Sequence, residues 1–280
     1  MRPSDDALAL AGAYRLALAR EVPTGAPGER LGRGTGSSLE FQDRRSYSAG
    51  DDVRHLDWRA YARTGELFIR LYREEVLPRV ELVCDTSRSM AVGEDKSRCA
   101  VDLVGLLGGA ARAEGLEVRY LSVGDVVEPV ERDRFERDGV ELSGARPLVD
   151  AVGEVQGFLR AGAVRIVVSD FLFPHDPAAL VRGLVRDAGA TAFLQVLGAR
   201  DVDPELGALR LTDAEAGSEL DLVLDGSVVE RYRGKLRALS RGLAAECRRV
   251  GALFCELSSA SSLEAVCRDQ LLPSGVLVPA

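Results

Sequence analysis

One stretch of the sequence, Val80 to Met90 (V-E-L-V-C-D-T-S-R-S-M), most constrains the fold. An apolar run ends there at Asp85, and Ser87 and Ser89 follow at alternate positions. A near-continuous apolar run is typical of a buried parallel strand, and the carboxyl end of such a strand is where an open α/β sheet binds its ligand. We therefore expect Asp85, Ser87 and Ser89 to lie on a loop at the end of a strand.

These residue types allow two interpretations of the stretch. A carboxylate and two hydroxyls are hard oxygen ligands, which suit a Mg²⁺ ion that keeps several of its waters. Alternatively, Ser and Asp residues that precede a helix cap its free N–H groups. The stretch alone does not decide between the metal site and the helix cap.

Apolar runs alternate with amphipathic segments along the chain, as expected for a doubly wound, mainly parallel α/β sheet of the Rossmann-like kind. The expected strands are residues 82–85, 117–123, 164–168, 191–197, 219–224 and 253–257, with an antiparallel edge strand at 126–132. The expected helices are residues 97–114, 147–159, 228–250 and 263–271, and one that begins at Asp176. We expect residues 79–280 to form the α/β domain. Residues 1–78 should form an N-terminal helix (Asp5–Glu21) and an extension that packs on this core.

A second acidic residue follows another apolar strand. The run from Val164 to Val168 ends in Ser169 and Asp170. Neighbouring strands of a parallel sheet lie about 5 Å apart, so the carboxylates at two strand ends can face one crevice. Asp85 and Asp170, together with the two serines after Asp85, are therefore expected to form one oxygen-rich cup.

The segment from Leu39 to Arg70 combines arginines, acidic residues and aromatic residues. The acids nearly balance the arginines, so the segment should not attract phosphates, and guanidinium groups pair well with carboxylates and stack on rings. This network either locks a small irregular or β-rich extension, with a short helix at 57–63 and a strand at 67–72, or forms a protein-binding surface. The candidate binding residues are Asp51, Asp52, Arg54, Asp57, Trp58 and Arg63. The Gly- and Pro-rich residues 23–38 should be a flexible approach to it.

Composition argues against several classes of protein. The net charge of -8 disfavours nucleic-acid binding through a basic face. No apolar run approaches the roughly 18 residues that mark a transmembrane helix, and Asp5 and Asp6 stand where a secretory signal would be basic. The five cysteines form no C-x-x-C pair, which is typical of small buried residues in a reducing cytosol. We therefore expect a cytoplasmic protein.

Two motifs together make the sequence recognisable. D-T-S-R-S-M after an apolar strand, followed later by V-V-S-D, resembles the metal-ion-dependent adhesion site of von Willebrand factor type A domains. The upstream run R-S-Y-S-A-G-D-D-V-R-H-L-D-W-R-A-Y-A-R is similar to the signature of a bacterial family, the domain of unknown function fifty-eight, and the resemblance extends from Glu40 to Leu257. It implies a type A-like α/β domain without established enzymatic activity. It also implies a partner among the MoxR-type AAA+ ATPases, whose genes commonly lie beside those of the family.

The resemblance also implies which residues would hold a Mg²⁺ ion. The matching residues are Asp85, Ser87, Ser89 and Asp170. Arg146 stands where type A domains supply a Thr, and a guanidinium offers no oxygen ligand. Either Arg146 neutralises Asp85 or Asp170 in place of the metal, and can then pair with a partner's carboxylate, or it points to solvent. In the second case Ser143 or a water completes a Mg²⁺ shell.

The expected function is a non-enzymatic protein-interaction or assembly factor that works with a MoxR-type ATPase through the adhesion-like site. His55 and His175 are the only histidines, and neither stands in a recognisable pattern with a nucleophile. Two alternatives remain open. One is a Mg²⁺-dependent phosphohydrolase that uses the paired carboxylates, and the other is a stand-alone structural module.

Overall fold

The computed structural model describes residues 1–21, 39–48, 51–74, 79–213 and 217–280, so the expected flexible approach at 23–38 lies outside the described residues. The strands are β1 (Tyr14–Leu16), β2 (Leu39–Ser46), β3 (Phe68–Glu74), β4 (Val80–Asp85), β5 (Val118–Val123), β6 (Val127–Val130), β7 (Val164–Ser169), β8 (Ala190–Leu197), β9 (Gly207–Thr212), β10 (Glu219–Leu224), β11 (Leu253–Ser258) and β12 (Leu277–Pro279). The helices are α1 (Asp5–Leu10), α2 (Ala17–Glu21), α3 (Trp58–Thr64), α4 (Glu94–Ala113), α5 (Arg132–Asp138), α6 (Leu148–Phe158), α7 (Pro177–Val185), α8 (Ala199–Val202), α9 (Gly226–Arg249) and α10 (Leu263–Val266).

The central sheet has six strands in the order β11-β8-β7-β4-β5-β6. All neighbours are parallel except β6, which returns antiparallel to β5. This confirms the expected mainly parallel α/β sheet and its antiparallel edge. From β4 the chain crosses over to β5 on one side and later to β7 on the other side. The strand order therefore reverses between β4 and β7, and such a switch point is where open α/β sheets bind ligands.

Helices cover both faces of this sheet, which explains why its central strands are apolar throughout. Every residue of β4 and β7 is buried. On one face, Leu82 packs in a cluster with Leu103 of α4. On the other face, Val83 packs in a second cluster with Leu148 of α6 and Leu180 of α7. The switch point is thus held between two apolar layers.

The strand expected at 219–224 does not join the central sheet. It forms β10, which pairs with β9 in a separate two-stranded antiparallel hairpin. Leu220 and Val223 are exposed, and Asp221 between them is exposed as well. A strand with such an alternation would place charge against the helices that cover the central sheet, which explains its exclusion from it.

The helices expected within residues 79–280 agree with the structure except at their ends, and α5 and α8 are additional. Helix α4 begins at Glu94 and α9 at Gly226, a few residues before the expected starts. The helix expected at 263–271 is the short α10, followed by a π-helical turn at Cys267–Leu271. Within the described ranges, every helix is too short or too polar to span a lipid bilayer.

The N-terminal segment is not the single helix expected over Asp5–Glu21. Helix α1 ends at Leu10, a 3₁₀ turn follows, and Tyr14–Leu16 form β1, which pairs antiparallel with β12. The pairing overrides the helical preference of the surrounding alanines because it buries Leu16 completely. Met1–Val22 and Pro78–Ala280 form one compact unit. The N-terminal residues therefore belong to the same compact unit as the central sheet.

The extension, Pro23–Leu77, is a second compact unit. Strands β2 and β3 form an antiparallel hairpin with a bulge between Phe41 and Asp43, so the extension is β-rich. Helix α3 confirms the short helix expected at 57–63. It ends at Gly65, whose φ of 74° is a left-handed conformation that glycine adopts without strain.

Candidate functional site

The carboxyl ends of β4 and β7 form a polar crevice at the switch point. This switch-point crevice comprises Asp85, Ser87, Ser89, Ser169 and Asp170, of which only Ser89 is not fully buried. The hydroxyl of Ser169 donates a hydrogen bond to Oδ2 of Asp85 at 2.5 Å. The structure thus brings together the four residues that the sequence singled out as oxygen ligands.

Ser87 and Ser89 hydrogen-bond within the crevice and do not cap a helix. The Ser87 N–H donates to Oδ1 of Asp85 at 3.0 Å, and the hydroxyl oxygens of Ser87 and Ser89 are 3.1 Å apart. A 3₁₀ turn follows Ser87, but the Ser87 side chain makes no capping hydrogen bond to it. Helix α4 begins only after Gly93. The helix-cap interpretation of these serines is therefore wrong.

Lys96 supplies a buried positive charge that the sequence interpretation missed. Its Nζ lies 2.6 Å from Oδ2 of Asp170 and 2.9 Å from Oδ2 of Asp201, and its side chain is 1% exposed. Burial alone lowers the pKa of Lys96, but the attraction of the two carboxylates outweighs it and raises the pKa above its usual value. Lys96 is therefore a permanent cation in the crevice.

One sequence signal pointed to Lys96. The chain has 36 lysines and arginines, of which only Lys96 and Lys235 are lysines. Lys235 is exposed on α9, whereas Lys96 is buried. In a chain that otherwise uses arginine, a buried lysine marks a position that suits a compact ammonium better than a planar guanidinium.

Asp85 differs from Asp170 because no cation among the described residues neutralises it. Burial is the main reason why the pKa of Asp85 is raised, to about 6, and the charge of Asp170 adds to the effect. Hydrogen bonds from Ser169 and Ser87 oppose the shift without cancelling it. The two carboxylates of the crevice thus have different chemical environments, one paired with an ammonium and one held by neutral donors.

Arg146 does not neutralise either carboxylate, so this part of the sequence interpretation is wrong. Its Nη2 lies 3.0 Å from Oε1 of Glu154, and its two Nη atoms donate to the carbonyl oxygens of Asp125 and Asp150. Arg146 stays away from the crevice because its loop is anchored elsewhere. Oδ1 of Asp125 accepts the N–H of Arg146 at 3.1 Å and holds the backbone of Arg146 at the end of β5. Ser143, the alternative oxygen ligand for Mg²⁺, is exposed.

The residues of the switch-point crevice do not fit a divalent cation. Asp170 binds Lys96 through Oδ2 and accepts the N–H of Leu172 through Oδ1 at 3.0 Å. Both carboxylate oxygens of Asp170 therefore already have hydrogen-bonding partners. These partners compete with the near-ideal octahedral coordination by oxygen that Mg²⁺ demands. In the part of the chain that the structure describes, no three His, Cys, Asp or Glu side chains are grouped as metal ligands.

The backbone around the crevice is closely packed and locally strained. Phe171, directly after Asp170, has a φ of 54°, which is uncommon for a bulky residue. Its N–H donates to the hydroxyl of Ser169 at 3.0 Å, which helps to hold this conformation. On the other side, Gly144 donates to the carbonyl oxygen of Thr86 at 3.0 Å, and a Cβ on Gly144 would lie only 2.8 Å from Cα of Gly124.

The acidic residues of the extension serve its own structure. Asp51 pairs with Arg45 at 2.5 Å and accepts the N–H of Ser48. Asp52 pairs with Arg54 at 2.6 Å, and the hydrogen bonds from Arg54 lower the pKa of Asp52 to about 2. These two pairings favour a structural role for Asp51 and Asp52 over a role in binding a partner.

The third acid, Asp57, holds α3. Its Oδ1 accepts the N–H groups of Arg59 and Ala60, and its Oδ2 lies 2.8 Å from Nε of Arg44. Asp57 is nearly buried, and these contacts, the Ala60 N–H first among them, lower its pKa. It is therefore a helix cap and not a surface binding residue.

The outward face of α3 is aromatic and basic. Trp58 is 58% exposed and Tyr61 44% exposed, and their rings meet edge to face at 6.3 Å. The side chains of Arg59 and Arg63 are exposed on the same short helix. Among the described residues, neither of these guanidinium groups has a carboxylate partner. Trp58 and Tyr61 lie on one side of the exposed surface of α3, and Arg59 and Arg63 lie on the adjoining side. This exposed surface, called the α3 face, is the second candidate site.

The cysteine thiols lack the environment of an activated nucleophile. All five cysteines are free and buried. Burial raises the pKa of Cys84, Cys99 and Cys247 to about 12 and that of Cys267 to about 11, which keeps them in the unreactive thiol form. Nδ1 of His175 hydrogen-bonds the carbonyl oxygen of Phe173 at 2.7 Å.

Comparisons with known proteins show the family of this chain. Residues 43–240 match the family described as "Protein of unknown function DUF58". The uncharacterized proteins Mb1516 of Mycobacterium bovis and Rv1480 of Mycobacterium tuberculosis are each 26% identical over 250 residues, which cover 82% of this chain and 78% of the relative. A crystal structure of an aerotolerance-related membrane protein from Bacteroides fragilis, with multiple mutations to serines, aligns at 13% identity and a TM-score of 0.34, covering 60% of this chain and 99% of that chain. Because the matched residues exceed half of the chain and contain both the α3 face and the switch-point crevice, this chain belongs to the DUF58 family.

Proposed function

We propose that this chain is a non-enzymatic interaction module that binds an acidic surface of a partner protein through the α3 face. The partner class that the family resemblance implies is a MoxR-type AAA+ ATPase. The observation that carries the proposal is that Trp58, Tyr61, Arg59 and Arg63 are all exposed on the same short helix. An ATP-consuming partner also favours a cytoplasmic location for the complex.

The composition of the α3 face is that of a protein-binding hot spot. Tryptophan, tyrosine and arginine are the residues that contribute most to the binding energy of protein interfaces. Asp57, Asp51 and Asp52 are engaged by Arg44, Arg45 and Arg54. Arg59 and Arg63 have no carboxylate partner among the described residues, so they give the face positive charge. An acidic protein surface complements it, whereas the net charge of -8 disfavours a nucleic acid.

The switch-point crevice, which resembles an adhesion site in sequence, is a less favoured binding surface than the α3 face. Asp85, Ser87 and Asp170 are completely buried, so a partner could reach only its rim. For this reason we assign recognition to the α3 face and a structural role to the crevice. The non-enzymatic character of the proposal rests on the buried thiols, on the ammonium that engages Asp170, and on the absence of a metal-ligand cluster among the described residues.

The proposal is tested by measuring the affinity of the purified chain for the MoxR-type ATPase encoded next to its gene. Trp58→Ala and Arg63→Glu should each weaken binding by about ten-fold or more, because each removes a central contact. Arg241→Glu is the matched control: Arg241 is also exposed on a helix and lacks an ion-pair partner among the described residues. It should leave the affinity unchanged.

Two outcomes would reject the proposal. The first is an ATPase that binds the wild type and both α3 variants with the same affinity, which would place the interface elsewhere. The second is an ATPase that does not bind the wild type at all, which would favour a stand-alone structural module. Raised salt should weaken the wild-type complex, since the interaction is electrostatic in part.

A further inference from the structure

The two carboxylates that hold Lys96 are themselves fixed by hydrogen bonds. Oδ2 of Asp201 also accepts the N–H of Gly198 at 2.8 Å. Oδ1 of Asp170 accepts the N–H of Leu172 at 3.0 Å. The negative charges are therefore placed by the fold before any cation is considered, and the ammonium of Lys96 bridges them.

The ammonium enters the crevice from a third segment of the chain. Lys96 lies in the first turn of α4, Asp170 follows β7, and Asp201 lies in α8. An ammonium offers three N–H donors around a compact charge, and two of them have carboxylate partners here. A planar guanidinium is larger and directs its donors differently, which explains the lysine in an arginine-rich chain.

We propose that the ammonium of Lys96 is the resident cation of the switch-point crevice and makes it complete without a divalent metal. In an adhesion site of the type that the sequence resembles, Mg²⁺ would compensate the carboxylates at this edge of the sheet. Here Lys96 compensates Asp170, while Asp85 is held by the hydroxyl of Ser169 and the N–H of Ser87. The inference concerns the crevice alone and is independent of the binding role proposed for the α3 face.

The test is a Mn²⁺ titration of the full chain, followed by the electron paramagnetic resonance signal of free Mn²⁺. Mn²⁺ serves as the probe because it takes the same hard oxygen ligands as Mg²⁺. The wild type should leave the free signal unchanged at millimolar Mn²⁺. Lys96→Met should bind Mn²⁺ at least about ten-fold more tightly than the wild type, since Asp170 and Asp201 then lack a cation.

Lys235→Met is the matched control, because it removes the only other lysine from an exposed position on α9. It should behave as the wild type does. Two results would overturn the inference. One is a wild type that binds Mn²⁺ and loses this binding in Asp85→Asn. The other is a folded Lys96→Met variant that binds Mn²⁺ no better than the wild type.

A second measurement on the wild type decides the matter if Lys96→Met does not fold. With only two lysines, a chain labelled with ¹⁵N-lysine has two side-chain ammonium signals. The buried ammonium of Lys96 should exchange slowly with water and remain visible, whereas that of exposed Lys235 should be lost to exchange. Addition of Mg²⁺ should leave the Lys96 signal in place. Its displacement by Mg²⁺, or the absence of any protected ammonium, would refute the inference.

Discussion

The hydroxyl of Ser169 donates a hydrogen bond to Oδ2 of Asp85 across 2.5 Å and so joins the ends of two neighbouring parallel strands. Both residues are completely buried. Burial, without a cationic partner among the described residues, raises the pKa of Asp85 in the folded protein. Because the pKa then differs between the folded and unfolded states, protonation of Asp85 is coupled to the free energy of folding.

Asp85→Asn should stabilise the protein more at about pH 7 than at about pH 5, relative to the wild type. The folded protein holds the Asp85 proton with a pKa of about 6, against 3.8 for an unperturbed group. The protonated carboxyl therefore favours the folded state at low pH by up to about 3 kcal/mol, in full only below the unfolded-state pKa, and this contribution is lost as pH rises through about 6. About 1 kcal/mol of it is lost between pH 5 and pH 7. Urea unfolding of both proteins at the two pH values measures it.

The control for this experiment is Asp6→Asn, because Asp6 is an exposed aspartate. The difference in unfolding free energy between this variant and the wild type should be the same at both pH values. If Asp85→Asn shows the same pH-independent difference, the carboxyl of Asp85 is ionised in the folded protein at both pH values and the prediction is wrong.

A buried ion pair lies at the amino ends of β4 and β7, away from the crevice. Substitutions of its two residues should have strongly coupled effects on the free energy of unfolding. Nη2 of Arg165 lies 3.2 Å from Oε2 of Glu81, and both side chains are almost inaccessible. Arg165→Met leaves Glu81 buried without its counter-charge, which should cost about 3 to 5 kcal/mol of unfolding free energy. The double variant with Glu81→Leu should be more stable than Arg165→Met alone. Strictly additive effects in this double-mutant cycle would contradict the prediction.

Gly144→Ala should destabilise the protein, because the new Cβ would lie 2.8 Å from Cα of Gly124 and 3.2 Å from the carbonyl oxygen of Thr86. Backbone atoms cannot rotate away, so we expect a cost of about 1 to 3 kcal/mol. Gly153→Ala, inside α6 with open space around its Cα, should instead stabilise by about 0.5 to 1 kcal/mol. Thermal unfolding of the two variants gives the comparison, and equal melting temperatures would show that the loop at Gly144 yields easily.

Asp57→Ala should loosen the extension, whereas Trp58→Ala should not. Asp57 caps α3 and pairs with Arg44, and losing a helix cap typically costs about 1 kcal/mol. The ring of Trp58 is mostly exposed, so its removal should cost little stability while it affects partner binding. Hydrogen exchange of the α3 amides separates these effects, and faster exchange in Trp58→Ala than in Asp57→Ala would reverse the assigned roles.

The sequence predicts the central sheet well because its signal is local. Val80–Asp85 and Val164–Ser169 are short apolar runs that end in polar residues, and each is a strand in the structure. The meeting of Asp85 with Asp170 follows from the same signal, since adjacent parallel strands end at one edge. Strand β1 is different: its partner β12 lies more than 250 residues away, and the local alanines and leucines favour a helix.

The chemistry of the crevice depends on contacts that no local pattern encodes. A lysine in the first turn of a helix is usually exposed, and only the folded chain shows that Lys96 meets Asp170 and Asp201. The position of Arg146 in a motif predicts a place at the crevice, but Asp125 and Glu154 hold it elsewhere. In both cases the deciding partners lie outside the motif that the sequence offers.

The pairing of β1 with β12 ties together the two ends of the described chain. Leu16 lies opposite Leu277, and both are completely buried. Opening of either strand removes the hydrogen bonds of the other, so the amides of residues 14–16 and 277–279 should exchange with solvent at a common rate, as one cooperative unit. The first and the last strand of the fold would then be lost and regained together.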